Sequence, residues 1–435
     1  MLTNWKTFKL IELYDISSGL SKSADEFGFG FPFLSFSTVF KNYFIPEELD
    51  QLVNTSKKER VTCSIKKGDV FLTRTSEVIE ELGMSCVALK DYPNATFNGF
   101  TKRLRPKNDE VVNPQFMGYY LRNKQFRAEL SAYSTLTTRA SLNNGIIEKL
   151  KVTLPPLPIQ QKIASILSSY DELIENNKQR IKLLEEMAEE IYKEWFVRLR
   201  FPGYENTKIV DGLPEGWENT KIENILKTSS GGTPSRLKES EYYGGDIDWI
   251  KTGELKDTFI LNAQETITEI GLKNSSAKLF PPNTLLMAMY GVNIGQLGIS
   301  VKASAANQAV CVFRPITDVK FSLYYTFYFF KSIRLHLFNI SMGAAQQNLS
   351  QDLIKKIDIL KPKTEIISKY DLIIEPIFEE IKALLQKNQL LQETRDLLLP
   401  RLISGKLSVE HLLEEEALGM VAEPRGEYKK TNSIE

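Results

Sequence analysis

Histidine and cysteine are the scarcest chemistry-bearing residues in this 435-residue chain, with two of the first and three of the second. Cys63, Cys86 and Cys311 are too few and too scattered for a disulfide framework or a Cys-x-x-Cys zinc site. With only His336 and His411 beside them, a nitrogen/sulfur metal site is not expected. An excess of charge of one sign is missing too, since 55 Lys plus Arg balance 55 Asp plus Glu. That balance argues against a protein that coats nucleic acid or an anionic membrane through bulk electrostatics, while leaving local patches open. Nor is there a long hydrophobic run: the longest, around Phe321 to Phe330, is about half of the roughly 20 residues a membrane-spanning helix needs. The opening MLTNWKTFKL has no apolar stretch followed by small residues, so no signal peptide is expected and a cytoplasmic, reducing setting follows. Aromatics at 10% and charged residues at 25% are ordinary globular values, and the length implies two or more domains.

What is present is a duplication. NWKTFKLIELYDISSGL returns as GWENTKIENILKTSSGG, placing Trp5 on Trp217, Leu10 on Ile222, Leu13 on Ile225, Ser17 on Ser229, Ser18 on Ser230 and Gly19 on Gly231. Leu82 to Ser85 (LGMS) aligns with Leu297 to Ser300 (LGIS), and RLRP ending at Pro106 aligns with CVFRP ending at Pro315. ASLNNGIIEKLKVTLPP then matches QNLSQDLIKKIDILKPK, with Leu142 on Leu349, Leu150 on Ile357 and Pro155 on Pro362. The unit is half the chain, far longer than a solenoid repeat. Short apolar or alternating runs such as FPFLSFSTVF, GDVFLTRTS, IDWIKTG and NTLLMAMYG read as strands between loops and a few helices, hence two similar α+β domains in tandem.

Each copy ends in a different pattern. After LPPLP, apolar positions recur at Ile163, Leu167, Tyr170, Ile174, Asn177, Ile181, Leu184, Ala188, Ile191 and Trp195, alternating by four and three. That is a coiled-coil seam on a helix from about Ile159 to Phe196. The second copy places Ile374, Ile377, Ile381, Leu384, Asn388, Leu391, Arg395 and Leu398 on a like seam, with Pro376 predicting a helix start or kink and a stop near Pro400. Asn177 and Asn388 each interrupt an otherwise mostly apolar row; such a residue fixes register and partner orientation, unless both lie on a wetter end of the seam. Two long helices with matching seams most simply pack on one another, with an intermolecular coiled coil as the competitor. The predicted boundaries are 1–152 and 206–360 for the globular domains, 153–205 and 361–410 for the helical regions, and 411–435 for a disordered acidic tail.

Catalytic chemistry is harder to find. NPQF, starting at Asn113, resembles the Asn-Pro-Pro-aromatic motif of amino-methylating DNA methyltransferases, but Gln115 replaces the second proline, and Asn113 reads as a helix cap. Asp248, Glu254 and Lys256 resemble a nuclease metal site with too short a spacing, and the first copy lacks both carboxylates. The glycine doublets Gly231-Gly232 and Gly244-Gly245 fit no nucleotide-binding fingerprint, and His336 reads as a packed helix residue. No catalytic residue and no metal site is therefore expected in the chain.

Binding is the better reading. Residues 97–141 carry 8 basic against 3 acidic groups and residues 271–360 carry 9 against 3, so each globular half ends basic, as phosphate contact at two places along a duplex would suit. Polar loops with donors and acceptors for base edges stand at comparable places: Thr73 to Ser76 against Met289 to Asn293, and Ser134 to Ser141 against Ser341 to Asn348. The candidate DNA contacts are Arg74, Thr75, Ser76, Lys102, Arg103, Thr138 and Arg139 in the first half. In the second they are Arg236, Lys251, Thr252, Tyr290, Asn293, Gln346 and Gln347, with Arg105 a further phosphate or guanine candidate in the first.

The chain resembles the specificity subunits of type I restriction-modification systems. The likeness rests on LPPLPIQQKIASILSSYDELIENNKQRIKLLEEMAEEIYKEWF, LLQETRDLLLPRLISGKL, LPEGWE, SSGGTPSR, DWIKTGEL, GQLGIS and NQAV, and extends to about Leu407. The second helix departs from it, its Pro-x-Gln-Gln-Lys signature having decayed to KPKTEIISK. The resemblance implies two target recognition domains, each reading one half of a bipartite asymmetric DNA sequence, and an antiparallel pair of spacer helices setting the unread gap. It also implies modification (methyltransferase) subunits, two of them, carrying S-adenosylmethionine, and a restriction (motor-nuclease) subunit using ATP and Mg²⁺. This chain itself would bind no cofactor. The rival readings are a stand-alone DNA methyltransferase or nuclease, and a coiled-coil scaffold without DNA specificity.

Overall fold

A computed structural model describes residues 4–76, 78, 81–108, 110–133, 140–316, 322–342 and 348–412. The predicted disordered tail lies, from residue 413 on, outside the described residues. The chain divides into two compact units, one made of Met1–Ile174 with Leu391–Glu435 and the other of Glu175–Leu390. Each unit therefore holds one globular half together with part of both long helices.

In the first unit, Tyr14–Ser18, Thr101–Pro106, Val70–Thr73 and Ser85–Val87 form an antiparallel sheet in that order. A smaller mixed sheet joins Gln51–Val53, Phe27–Leu34 and Thr96–Phe97, and Lys6–Lys9 pairs with Lys151–Leu154 to tie the start of the half to its end. The second unit repeats this plan. Its larger sheet runs Leu226–Ser230, Val310–Pro315, Thr284–Ala288, Leu297–Ser300, and adds Thr258–Ile260 in parallel at the edge. Thr266–Ile267, Tyr243–Ile250 and Ser304–Ala306 make the smaller sheet, and Glu218–Lys221 pairs with Asp358–Lys361. The α+β duplication predicted from sequence is thus a repeat of strand order as well as of residues.

The recurring Ser-Ser-Gly has a steric cause. A Cβ on Gly19 would stand 2.4 Å from the carbonyl oxygens of Phe97 and Asn98, and one on Gly231 only 2.0 Å from that of Ala306. The first strand of each larger sheet ends by crossing closely over the last strand of the smaller sheet, and only hydrogen fits between the backbones.

The first long helix runs Leu157–Tyr192 and closes in a π-helical turn, Lys193–Val197; the second runs Thr364–Ile403. Pro376 does not start the second helix, which begins twelve residues earlier. The bond Pro376 cannot donate is to the carbonyl of Leu372, and both residues lie on the exposed side, where water can take the donor's place. In the first unit, Ile163 and Leu167 pack in one core with Leu399, Leu402 and Ile403. In the second, Ile181, Ala188 and Trp195 pack with Ile374, Ile377, Ile381 and Leu384. Contacts there run antiparallel: Asn177 meets Asn388, Arg180 meets Glu380 at 2.6 Å, and Trp195 meets Tyr370 with ring centroids 5.8 Å apart. The Asn177 amide, 2% exposed, donates to Asn388 Oδ1 at 2.8 Å.

Arg395 is the one cation on either seam, and the first unit surrounds it with acceptors. Asp171 and Asp396 both take its guanidinium, and the Tyr119 hydroxyl donates to Asp171 at 2.5 Å. Burial opposes the charge on Arg395, but these hydrogen bonds outweigh it and hold the guanidinium pKa above its ordinary value.

Two stability predictions follow from these contacts. Gly19→Ala and Gly231→Ala should each cost about 1–3 kcal/mol through overpacking against a backbone that cannot yield, read as a lower midpoint in chemical denaturation. Asn177→Leu alone should cost on the order of 1 kcal/mol by leaving the Asn388 amide unpaired, and adding Asn388→Leu should recover the loss; independent costs in a double-mutant cycle would show that the amides do not act as a pair.

Candidate nucleic-acid interface

Three loops meet in each unit, and backbone hydrogen bonds join them. In the first unit Thr75–Ser76 pairs antiparallel with Ala140–Ser141, and Leu142 N–H donates to the Arg74 carbonyl at 2.7 Å. Arg74 N–H in turn donates to the Phe100 carbonyl at 2.8 Å. Phe100 lies in a turn closed by Asn98, whose side-chain oxygen accepts from Phe100 N–H at 2.7 Å and whose carbonyl accepts from the Thr101 hydroxyl at 2.7 Å. In the second unit Tyr290 bridges Asn348, Leu349 N–H donates to the Met289 carbonyl at 2.9 Å, and Met289 N–H donates to the Ala309 carbonyl at 2.9 Å. Asn307 closes that turn by accepting from Ala309 N–H at 3.1 Å. The described ends of the loops chosen for polarity, Ala140–Ser141 beside Thr75–Ser76 and Asn348 beside Tyr290, thus stand together with a third turn that is not among the predicted contacts.

The candidate side chains divide into those presented and those consumed. Arg74 is exposed, with Thr75 and Ser76 half-buried beside it. Lys102 donates to Ser18 Oγ at 3.0 Å, and burial together with the neighbouring Arg74 charge lowers its pKa. Arg103 is a correction to the sequence reading: it is 7% exposed, its guanidinium donates to the Ser64 carbonyl at 2.6 Å and lies 5.4 Å from the Phe97 ring centre. Arg105 is likewise spent within the fold, gripping fully buried Asp69 with two hydrogen bonds of 2.7 and 2.6 Å. The strand carrying both is covered on its two faces, so these two cations serve the fold, and Lys102 on the same strand is itself only 9% exposed. Thr138 and Arg139, like Gln346 and Gln347 in the other unit, lie outside the described residues.

In the second unit Arg236 lies 3.9 Å over the Tyr243 ring and shares Glu265 with Lys251, at 2.5 and 3.1 Å. Those partners, Arg236 first, hold the Glu265 carboxyl below its ordinary value. Lys251 and Thr252 follow Ile250, whose carbonyl accepts from Asn307 N–H at 3.0 Å, which places them beside the same turn. Tyr290 is 39% exposed and Asn293 half-buried; between them Val292 is 99% exposed. Exposed Phe100 and Val292 were both missed by the sequence reading, because apolar residues give no signal of this kind until their exposure is known.

The decoy motifs have structural roles. Asn113 Oδ1 caps the helix Pro114–Tyr120 by accepting from Phe116 N–H at 2.8 Å. Glu254 accepts from the backbone N–H groups of Lys251 and Gln264 at 3.0 and 2.8 Å. His336, expected to be packed, is instead on the exposed side of the helix Arg334–Met342. All three cysteines are buried, and burial pushes the Cys86 thiol up to about 12, far from a reactive thiolate. Among the described residues no cluster of three or more His, Cys, Asp and Glu is placed to hold a metal ion, and no helix is long and apolar enough to cross a membrane.

Comparison with known proteins agrees with this architecture. The type I restriction modification DNA specificity domain matches twice, over residues 3–186 and 214–394. The MjaIX specificity subunit of Methanocaldococcus jannaschii is 26% identical over 82% of this chain and 83% of its own length. The HindI specificity subunit of Haemophilus influenzae is 24% identical over 93% of this chain and 100% of its own. Among solved structures, the type I restriction-modification S subunit from M. genitalium shares the fold with a TM-score of 0.59 at 15% identity, covering 92% of this chain and 96% of that one. Two matched domains, two long seam-forming helices and the duplicated loop arrangement lead to one conclusion: the chain belongs to the family of type I restriction-modification specificity subunits, the non-catalytic, DNA-recognising members of those complexes.

Proposed function

We propose that this chain reads a bipartite, asymmetric DNA target and directs type I modification and restriction subunits to it. One observation carries the reading: the same three-loop junction is built twice with different side chains. Arg74, Thr75, Phe100 and Ser141 in the first unit stand where Met289, Tyr290, Ala309 and Asn348 stand in the second. Two copies of one scaffold with different donors, acceptors and apolar groups suit two half-sites of different sequence. The helices would serve as the spacer that sets the unread gap. Methyltransferase subunits, two of them, would dock on the chain and bring S-adenosylmethionine; a restriction subunit would bring ATP and Mg²⁺, and the assembly would work in the cytoplasm. Because Arg103 and Arg105 are spent within the fold, the isolated chain would bind DNA weakly and with little selectivity until its partners complete the clamp.

Methylome sequencing of cells carrying the chain and its modification subunits should show a two-part adenine-methylated motif. Exchanging the globular halves should reverse the order of its two parts, and lengthening both helices by one turn should change the gap while leaving the parts intact. An unchanged gap would refute the ruler; S-adenosylmethionine binding or DNA modification by the purified chain alone would favour the stand-alone enzyme, and no sequence-selective binding with partners added would favour the scaffold. Within the first domain, Arg74→Ala should weaken DNA binding by the assembled complex about tenfold without lowering the melting temperature. Arg103→Ala should do the reverse, costing about 1–3 kcal/mol of stability by removing a buried side chain that packs over Phe97 and shares the Ser64 carbonyl with Arg105.

A further inference from the structure

The first recognition domain presents an aromatic ring that its own fold does not use. Phe100 is 58% exposed, although its backbone is held on both sides, by Asn98 Oδ1 at its N–H and by Arg74 N–H at its carbonyl. The duplication supplies an internal control. The same turn in the second unit is closed by the same asparagine hydrogen bond and receives the same backbone donor, with Ala309 in place of the ring. An aromatic side chain is therefore not needed to build the turn, and leaving one in water forgoes the gain of burying it.

Its surroundings say what it faces. Arg74 flanks the turn and is exposed, Lys102 beside it is only 9% exposed and tied to the Ser18 hydroxyl, and Ser76 and Ser141 lie across the strand pairing. Counterparts in the second unit are Met289 and Cys311, so the two cations and the ring occur together only in the first. A single apolar group beside one exposed cation and a pair of hydroxyls does not resemble a protein-docking patch, which would be broader and apolar at its centre. It matches duplex DNA, where a phosphate or guanine edge meets the cation and the thymine 5-methyl is the apolar feature of a base edge in the major groove.

We propose that Phe100 is a specificity-determining residue of the first domain, its ring seated against a thymine 5-methyl group with Arg74 holding the adjoining backbone or guanine edge. The proposal rests on the DNA-recognition reading above and adds a base identity to it: the half-site read by the first domain contains a thymine, and the equivalent position of the second domain, at Ala309, makes a smaller contact.

The test uses the full chain assembled with its modification subunits and a duplex carrying the methylome-derived target. The first domain's half-site is the part of the motif that is lost when the first globular half is replaced by a second copy of the second. Each thymine of that half-site is replaced in turn by deoxyuracil, which removes only the methyl group. Binding by the unaltered complex should weaken about three- to tenfold at one of these positions. Phe100→Ala should bind the natural duplex about tenfold more weakly and be indifferent to deoxyuracil at that position, while discrimination in the second half-site is unchanged. Ala309 shows that alanine is compatible with the turn; Phe100→Leu, which keeps an apolar contact, should retain part of the methyl response. The proposal is overturned if the half-site has no thymine, if no deoxyuracil position matters, or if Phe100→Ala keeps both the affinity and the methyl response. Failure of the unaltered complex to select any sequence would instead overturn the DNA-recognition reading itself.

Discussion

Everything in this molecule depends on the exchange of helix ends between its two units. The helix that follows the first globular half contributes Ala188, Tyr192, Trp195 and Phe196 to the core of the second unit. The helix that follows the second contributes Leu399, Leu402 and Ile403 to the core of the first. Neither globular half is closed by its own helix alone. Apolar burial of this size is the dominant favourable term in folding, so the long helices are structural parts of both domains as well as the link between them. The aromatic cluster of Tyr192, Phe196, Tyr325 and Tyr370 shows how deep this goes: Phe196 from one helix lies edge-on to Tyr325 of the globular half at 4.6 Å and to Tyr370 of the other helix at 4.9 Å.

That shared seam is polar at two chosen points. Asn177 and Asn388 satisfy one another, and Arg395 is satisfied by carboxylates and, through Asp171, by Tyr119 of the globular half. In the second unit the helix surface facing the globular half is aromatic instead, with Phe378 against Tyr324, Phe327 and Tyr328. An exchange of a charge network for ring packing at comparable places is a difference the two domains can carry without changing strand order. It means that the duplication preserved the scaffold and let the chemistry on both of its working surfaces diverge.

Much of this could be read beforehand. The repeat, its Ser-Ser-Gly matches, the alternating spacing of the seams, the cap at Asn113 and the helix end near Pro400, three residues beyond it at Ile403, depend on periodicity and sterics that act over a few residues. Reading failed where the outcome depended on what covers a residue. Arg103 and Arg105 looked like phosphate ligands because cations are usually solvated, yet both faces of their strand are covered and Ser64 and Asp69 take their donors. Pro376 was open to reading as a helix start because it lacks an N–H, but the helix runs through it, with the unpaired carbonyl on the solvated side and the other side buried. Phe100 went unnoticed for the opposite reason, since a phenylalanine between a glycine and a strand is read as core until its exposure is seen.

Local patterning by itself determined that the chain is a duplicated α+β protein with two long helices, because hydrophobic periodicity and close-packed glycine leave a mark at fixed spacing. Only the tertiary structure decided which helix end completes which core, which cations remain free, and which loops come together. Those outcomes rest on contacts between residues far apart in the chain, such as Arg74 with Phe100 and Leu142, and no local spacing records them.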